Sequence, residues 1–98
     1  MTITKSTKDK ELEVKVSWRL DTTTAPQLEI ELKQGIGNKE LLILDFSELE
    51  YLSSAGLRVI LAAQKIMNKQ GKMIVRNVNE TIMDIFEVTG FTDILTIE

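Results

Sequence analysis

The chain has 98 residues, a formal net charge of −3 and neither Cys nor His. That length suits one shared hydrophobic core, and a single domain over residues 1–98 is expected. Without Cys there is no disulfide or thiolate chemistry, and without His the commonest general base and metal ligand are missing. Hydrophobic residues make up 43% and charged residues 28%, the balance of a folded globular domain. The acidic balance supplies no basic field for a phosphate backbone, so nucleic acid is not an expected partner. Apolar runs such as Leu41 to Leu44 fall far short of the roughly 20 residues that span a bilayer. Residues 1–10 have no continuous apolar stretch of a secretory signal, so a cytoplasmic protein without membrane contact is expected.

Leu12, Val14, Val16 and Trp18 alternate with polar residues and predict a strand with those four on its buried face. Ile3 and its neighbours predict a shorter strand before it, closed as a hairpin through residues 6–10. In the segment Asp21-Thr22-Thr23-Thr24-Ala25-Pro26, a cap at Asp21 would leave Pro26 in the second turn, where it removes a needed N–H. Thr23 or Thr24 is therefore the expected cap of a helix over residues 24–34, and Asp21 is free for another role. Gly35 and Gly37 end that helix.

The continuous run Leu41-Leu42-Ile43-Leu44 predicts a central strand ending in Asp45-Phe46-Ser47. Ser54 to Gln70 predicts a long helix closed by Gly71, and Met73 to Val75 the next strand, parallel to the first. The helix carries a broad apolar arc. Leu57, Ile60, Leu61 and Met67 share one face, Val59, Ala62, Ala63 and Ile66 the adjoining one, so either neighbouring helices or a partner covers the excess. Arg58, Lys65 and Lys69 line the opposite, solvated side. Asn79 caps a short helix that closes at Gly90, and Ile94 to Ile97 predicts a last strand. The expected order is β-β-α-β-α-β-α-β, an α/β domain with a mixed five-stranded sheet and helices mainly on one face.

Ser53-Ser54-Ala55-Gly56-Leu57 stands where a strand passes into a helix whose free N–H groups favour an anion. One serine suffices as a cap; a nucleophile would need a base, and a hydrolase elbow would need Gly where Leu52 stands. No catalytic residue and no cofactor are assigned. A phosphoserine would add about −1.5 to −2 charges at a terminus that tolerates them. A partner resting there would have to desolvate or repel that charge.

Leu42-Ile43-Leu44-Asp45-Phe46-Ser47 followed by Tyr51-Leu52-Ser53-Ser54-Ala55-Gly56-Leu57 resembles the signature of STAS domains of the anti-sigma factor antagonist family. Leu20-Asp21, Gly71-Lys72-Met73 and residues 86–91 extend the resemblance over almost the whole chain. It implies a bacterial partner-switching regulator of transcription that binds an anti-sigma factor/serine kinase when unphosphorylated. Phosphorylation releases it, and a metal-dependent serine phosphatase resets it. The family motif implies Ser54, two positions before Gly56, as the modified residue. Many members carry Asp just before that serine; Ser53 stands there, so Ser53 is the alternative target. The implied partner surface comprises Asp21, Thr22 and Thr23, Asp45 and Ser47, and Ser53, Ser54, Gly56, Leu57 and Arg58 at the helix start. A constitutive scaffold or transporter-linked STAS domain, with the serines acting only as caps, is the competing reading.

Overall fold

A computed structural model describes residues 1–98. Strand β1 (Thr2–Lys8) turns back through Asp9 and Lys10 into β2 (Glu11–Leu20), an antiparallel pair. Helix α1 (Ala25–Gly35) leads to β3 (Leu41–Leu52), which pairs parallel with β2. Helix α2 (Ser54–Gln70) crosses to β4 (Lys72–Arg76), parallel to β3, and α3 (Glu80–Thr89) follows. The sheet order is β1-β2-β3-β4.

In-register pairing sets the layers. Leu12 faces Leu42 and Val14 faces Leu44, while Leu42 and Leu44 in turn face Met73 and Val75, so one side of the sheet is continuously apolar. All three helices contribute to the core on that side, with Leu28 and Leu32 from α1, Ile60 and Met67 from α2, and Ile82 and Phe86 from α3. Phe46 meets Phe86 with ring centroids 6.5 Å apart. The other side carries Glu13, Lys15 and Asp45 beside the paired Ile43 and Ile74. The broad apolar arc of α2 is largely accounted for by α1: Val59 and Ala63 are buried, and they share a groove with Leu32 and Ile36.

Local signals explain the boundaries. Asn79 Oδ1 accepts from Ile82 N at 2.9 Å, the side-chain cap of α3, and Gly90 ends that helix with φ 80. Among the expectations that fail are the fifth strand and the burial of Trp18. The sheet has four strands: the 3₁₀ turn at residues 91–93 runs on into a turn and a bend at Ile94 and Leu95, so of the segment predicted as strand only Ile97, flanked by Thr96 and Glu98, reaches the β4 edge, through one bridge to Val75. Trp18 does not lie on the buried face but is 56% exposed. The β2–β3 register shifts at Trp18 and Arg19, the Trp18 backbone turns to φ 72, and Leu20 takes the buried position. Leu12, Val14, Val16 and Leu20 keep the period of two, so the irregularity at Trp18 turns a single residue out of the buried row without shifting the rest.

Candidate functional site

Two turns meet at the end of the sheet. The Ser53 N–H donates to the Leu20 carbonyl at 3.0 Å, which places the β3–α2 junction beside the start of the Asp21–Thr24 turn. Gly56 allows this approach: a Cβ there would stand 2.7 Å from both Leu20 Cγ and Leu52 Cδ1. Gly56 and Leu57 are both buried and therefore support the turn without offering surface.

The serines differ sharply. Ser53 is the N-cap residue with extended backbone, yet its hydroxyl makes no cap hydrogen bond and its buried Oγ has no partner. Ser54, the first helical residue, is exposed. The first turn of α2 holds no acidic side chain. Its N–H groups thus keep their positive partial charge, unanswered by any side chain. Arg58 lies one turn further along the same face, exposed and in no ion pair, and lines an open groove with Thr22, Pro26 and Ala55.

Asp21 is not free, as the proline argument had implied. Its Oδ1 accepts from Thr23 N at 3.0 Å and Thr24 N at 3.1 Å, and its backbone carbonyl accepts from Ala25 N. Thr24 is the N-cap residue, but its hydroxyl donates to the Arg19 carbonyl at 2.9 Å instead of capping the helix. Asp21 thus closes a separate turn ahead of the proline, an arrangement in which Pro26 does no harm. The Thr24 backbone N–H beside Asp21 holds its carboxyl below the ordinary value of 3.8, and the Thr24 hydroxyl, the Thr23 N–H and Arg19 act in the same direction against a smaller desolvation. Thr22 and Thr23 are exposed on this turn.

Asp45 and Ser47 lie elsewhere. β3 does not end at Ser47 but runs on to Leu52. The pairs Lys15↔Asp45 and Ser17↔Glu48 leave an extra residue in β3, and Asp45 Oδ1 accepts the freed Ser47 N–H at 2.9 Å. Asn77 Nδ2 donates to the same oxygen at 3.3 Å. Along β2, Lys15 opposite Asp45 and Leu20 beside Ser53 are separated by five residues, roughly 17 Å at the usual strand rise. The candidate site is therefore the pair of turns, and Asp45 clasps a bulge at a distance from it.

Burial pushes the Asp45 carboxyl up, but the Ser47 and Asn77 hydrogen bonds and the nearby Lys15 prevail and hold it below 3.8. A carboxyl depressed in the folded state stabilises the fold above its unfolded pKa and loses that contribution as pH falls through the folded pKa. Urea unfolding of the wild type is thus expected to weaken as pH drops from 6 to below about 3.8, and Asp45→Asn to show a shallower decline in that window. Parallel curves would remove Asp45 from the acid response.

Arg19 and Tyr51 were not singled out by sequence, since nothing local links residues 32 apart. Strand pairing sets them opposite one another, and the Arg19 guanidinium sits 4.1 Å from the Tyr51 ring centroid while Nε reaches Asp21 Oδ2 at 3.4 Å. No group of three or more Asp or Glu is placed to hold a metal ion, and no helix is long and apolar enough to cross a membrane.

This architecture matches known proteins. The anti-sigma-B factor antagonist of Staphylococcus aureus is 31% identical over 98 residues, covering 97% of this chain and 90% of the relative. An anti-sigma factor antagonist from Mycobacterium paratuberculosis has the same fold, with a TM-score of 0.89 and 25% identity over 98% of this chain and 83% of that one. Bacillus SpoIIAA, at 17% identity, shares the fold in unphosphorylated and phosphorylated forms with TM-scores of 0.85 and 0.78, covering 99% of this chain and 88% and 91% of those. Anti-sigma factor antagonists are non-enzymatic regulators. Residues 2–98 match the STAS domain, and the chain belongs to the STAS domain family, alongside the anti-sigma factor antagonists that it resembles.

Proposed function

We propose that this protein is an anti-sigma factor antagonist that binds an anti-sigma factor/serine kinase in its unphosphorylated form and is released when Ser54 is phosphorylated. The observation that carries the reading is the contrast between the serines: the Ser54 side chain is exposed at the start of α2, whereas Ser53 Oγ is buried. A kinase can reach only an accessible hydroxyl, which favours Ser54 over Ser53. The partner contact comprises Thr22, Thr23, Ser54 and Arg58, with Asp21 holding the first turn and Gly56 and Leu57 seating the second.

The switch is electrostatic. Transfer of a phosphoryl group from ATP to Ser54 leaves the domain folded, because the helix terminus and Arg58 both favour an anion. The partner meets about two new negative charges where it had covered a neutral hydroxyl. Bacillus SpoIIAA, of the same fold, exists in both a phosphorylated and an unphosphorylated form, which supports such chemistry on this scaffold. A metal-dependent serine phosphatase completes the cycle by hydrolysing the phosphoserine.

The test is incubation with a candidate anti-sigma factor kinase and ATP, followed by mapping of phosphate by mass spectrometry. Phosphate on Ser54 is expected. A kinase that binds the chain tightly yet modifies neither serine would replace this reading with a constitutive scaffold.

A further inference from the structure

Trp18 is the single tryptophan of the chain, it is 56% exposed, and its backbone sits at φ 72. Left-handed backbone is rare for a bulky residue and costs energy that glycine would avoid. Such outliers persist where surrounding structure over-determines them, and they cluster at functional sites. Here both flanks are pinned, by pairing of Ser17 with Glu48 and of Arg19 with Tyr51. The bulge turns the ring outward, a position that burial in this protein's core does not explain.

Its surroundings continue into the two turns. Arg19 stacks on Tyr51, itself 40% exposed, and also reaches Asp21; Leu20 accepts the Ser53 N–H. Trp, Tyr and Arg are the residues in which binding energy concentrates at protein interfaces. On β3 the same strip carries exposed Glu48 and Glu50, the latter in no ion pair. We infer that Trp18 is a partner anchor that inserts into an apolar pocket rimmed by basic residues on the anti-sigma factor kinase, adjoining the Ser54 contact. This inference rests on the function proposed above and names a specificity-determining residue for it. The acidic flank disfavours an anionic lipid surface as the occupant.

The test uses the full chain carrying 5-fluorotryptophan, together with Trp18→Gly and Trp18→Phe, each titrated with the purified kinase. The single fluorine resonance should shift on saturation. Trp18→Gly should weaken binding about tenfold or more, with Trp18→Phe intermediate. Thermal unfolding should place Trp18→Gly within about 5 °C of wild type, since relief of the left-handed backbone offsets the loss of the partly covered ring. Affinity of Trp18→Gly within twofold of wild type, while Ser54→Asp loses binding, would overturn the anchor and leave the switch standing. Failure of the wild type to bind any such kinase overturns both. A resonance shifted by phosphatidylglycerol vesicles but not by kinase would overturn the anchor in favour of a lipid contact.

Discussion

Ser54→Asp is expected to weaken binding of the anti-sigma factor kinase by about 100-fold or more, while Ser54→Ala binds within a few fold of wild type. Ser54 stands on the exposed start of α2, so neither change disturbs the core. Within the complex, however, the carboxylate must be taken out of water. An uncompensated charge buried in this way costs about 3–5 kcal/mol, and each step of about 1.4 kcal/mol is tenfold in Kd. In the free domain the helix terminus, Arg58 and water all favour the charge, and binding removes the water, which is why the fold tolerates the charge and the interface does not. Titration calorimetry with both variants measures the difference. Equal affinities would sink the charge mechanism, and a fall in melting temperature in Ser54→Asp alone would instead point to damage within the domain.

The largest effect on stability is expected at Gly71. A Cβ at this position would overlap the backbone carbonyl oxygen of Glu40. That carbonyl cannot move aside, because it accepts from Lys72 N at 2.9 Å while Glu40 N donates to the Lys10 carbonyl at 2.8 Å. The corner ties together the starts of three strands, through Lys10 just before β2, Glu40 just before β3 and Lys72, the first residue of β4. Gly71→Ala must therefore shift backbone and not merely a side chain, for a loss of about 3 kcal/mol. For a domain of this size the melting temperature should fall by roughly 12 °C or more. Gly37→Ala is the matched control: nothing lies within 4 Å of a Cβ there, and a change within about 0.5 kcal/mol is expected. Similar losses in the two variants would mean that the Glu40 contact is not the cause.

Much of this arrangement was legible in the sequence because it depends on neighbours along the chain. The span of α2, Ser54 to Gln70, follows from a cap position, helical spacing and a terminal glycine. The Asn79 cap and the left-handed Gly90 are equally local. The family was also legible, since the run from Tyr51 to Leu57 combines buried positions, a small residue and a hydroxyl in an order that one turn imposes. The misreadings share a different cause. Trp18 and the length of β3 depend on how far two distant strands slip past each other, and a bulge leaves no trace in a single strand's pattern. Asp21 is off the helix cap, as the proline rule required, but that rule says nothing of the separate turn its carboxylate closes.

The serine pair divides along the same line. Local sequence places Ser53 and Ser54 at the start of a helix that welcomes an anion, since backbone polarity at a helix end follows from the chain itself. Which hydroxyl is accessible is a tertiary matter. Packing of the β3–α2 junction against Leu20, through the Ser53 N–H and the space left by Gly56, buries one oxygen and leaves the other residue exposed. Burial is set by what Leu20, 33 positions before Ser53, brings to the site, and no window of sequence around the serines contains that information.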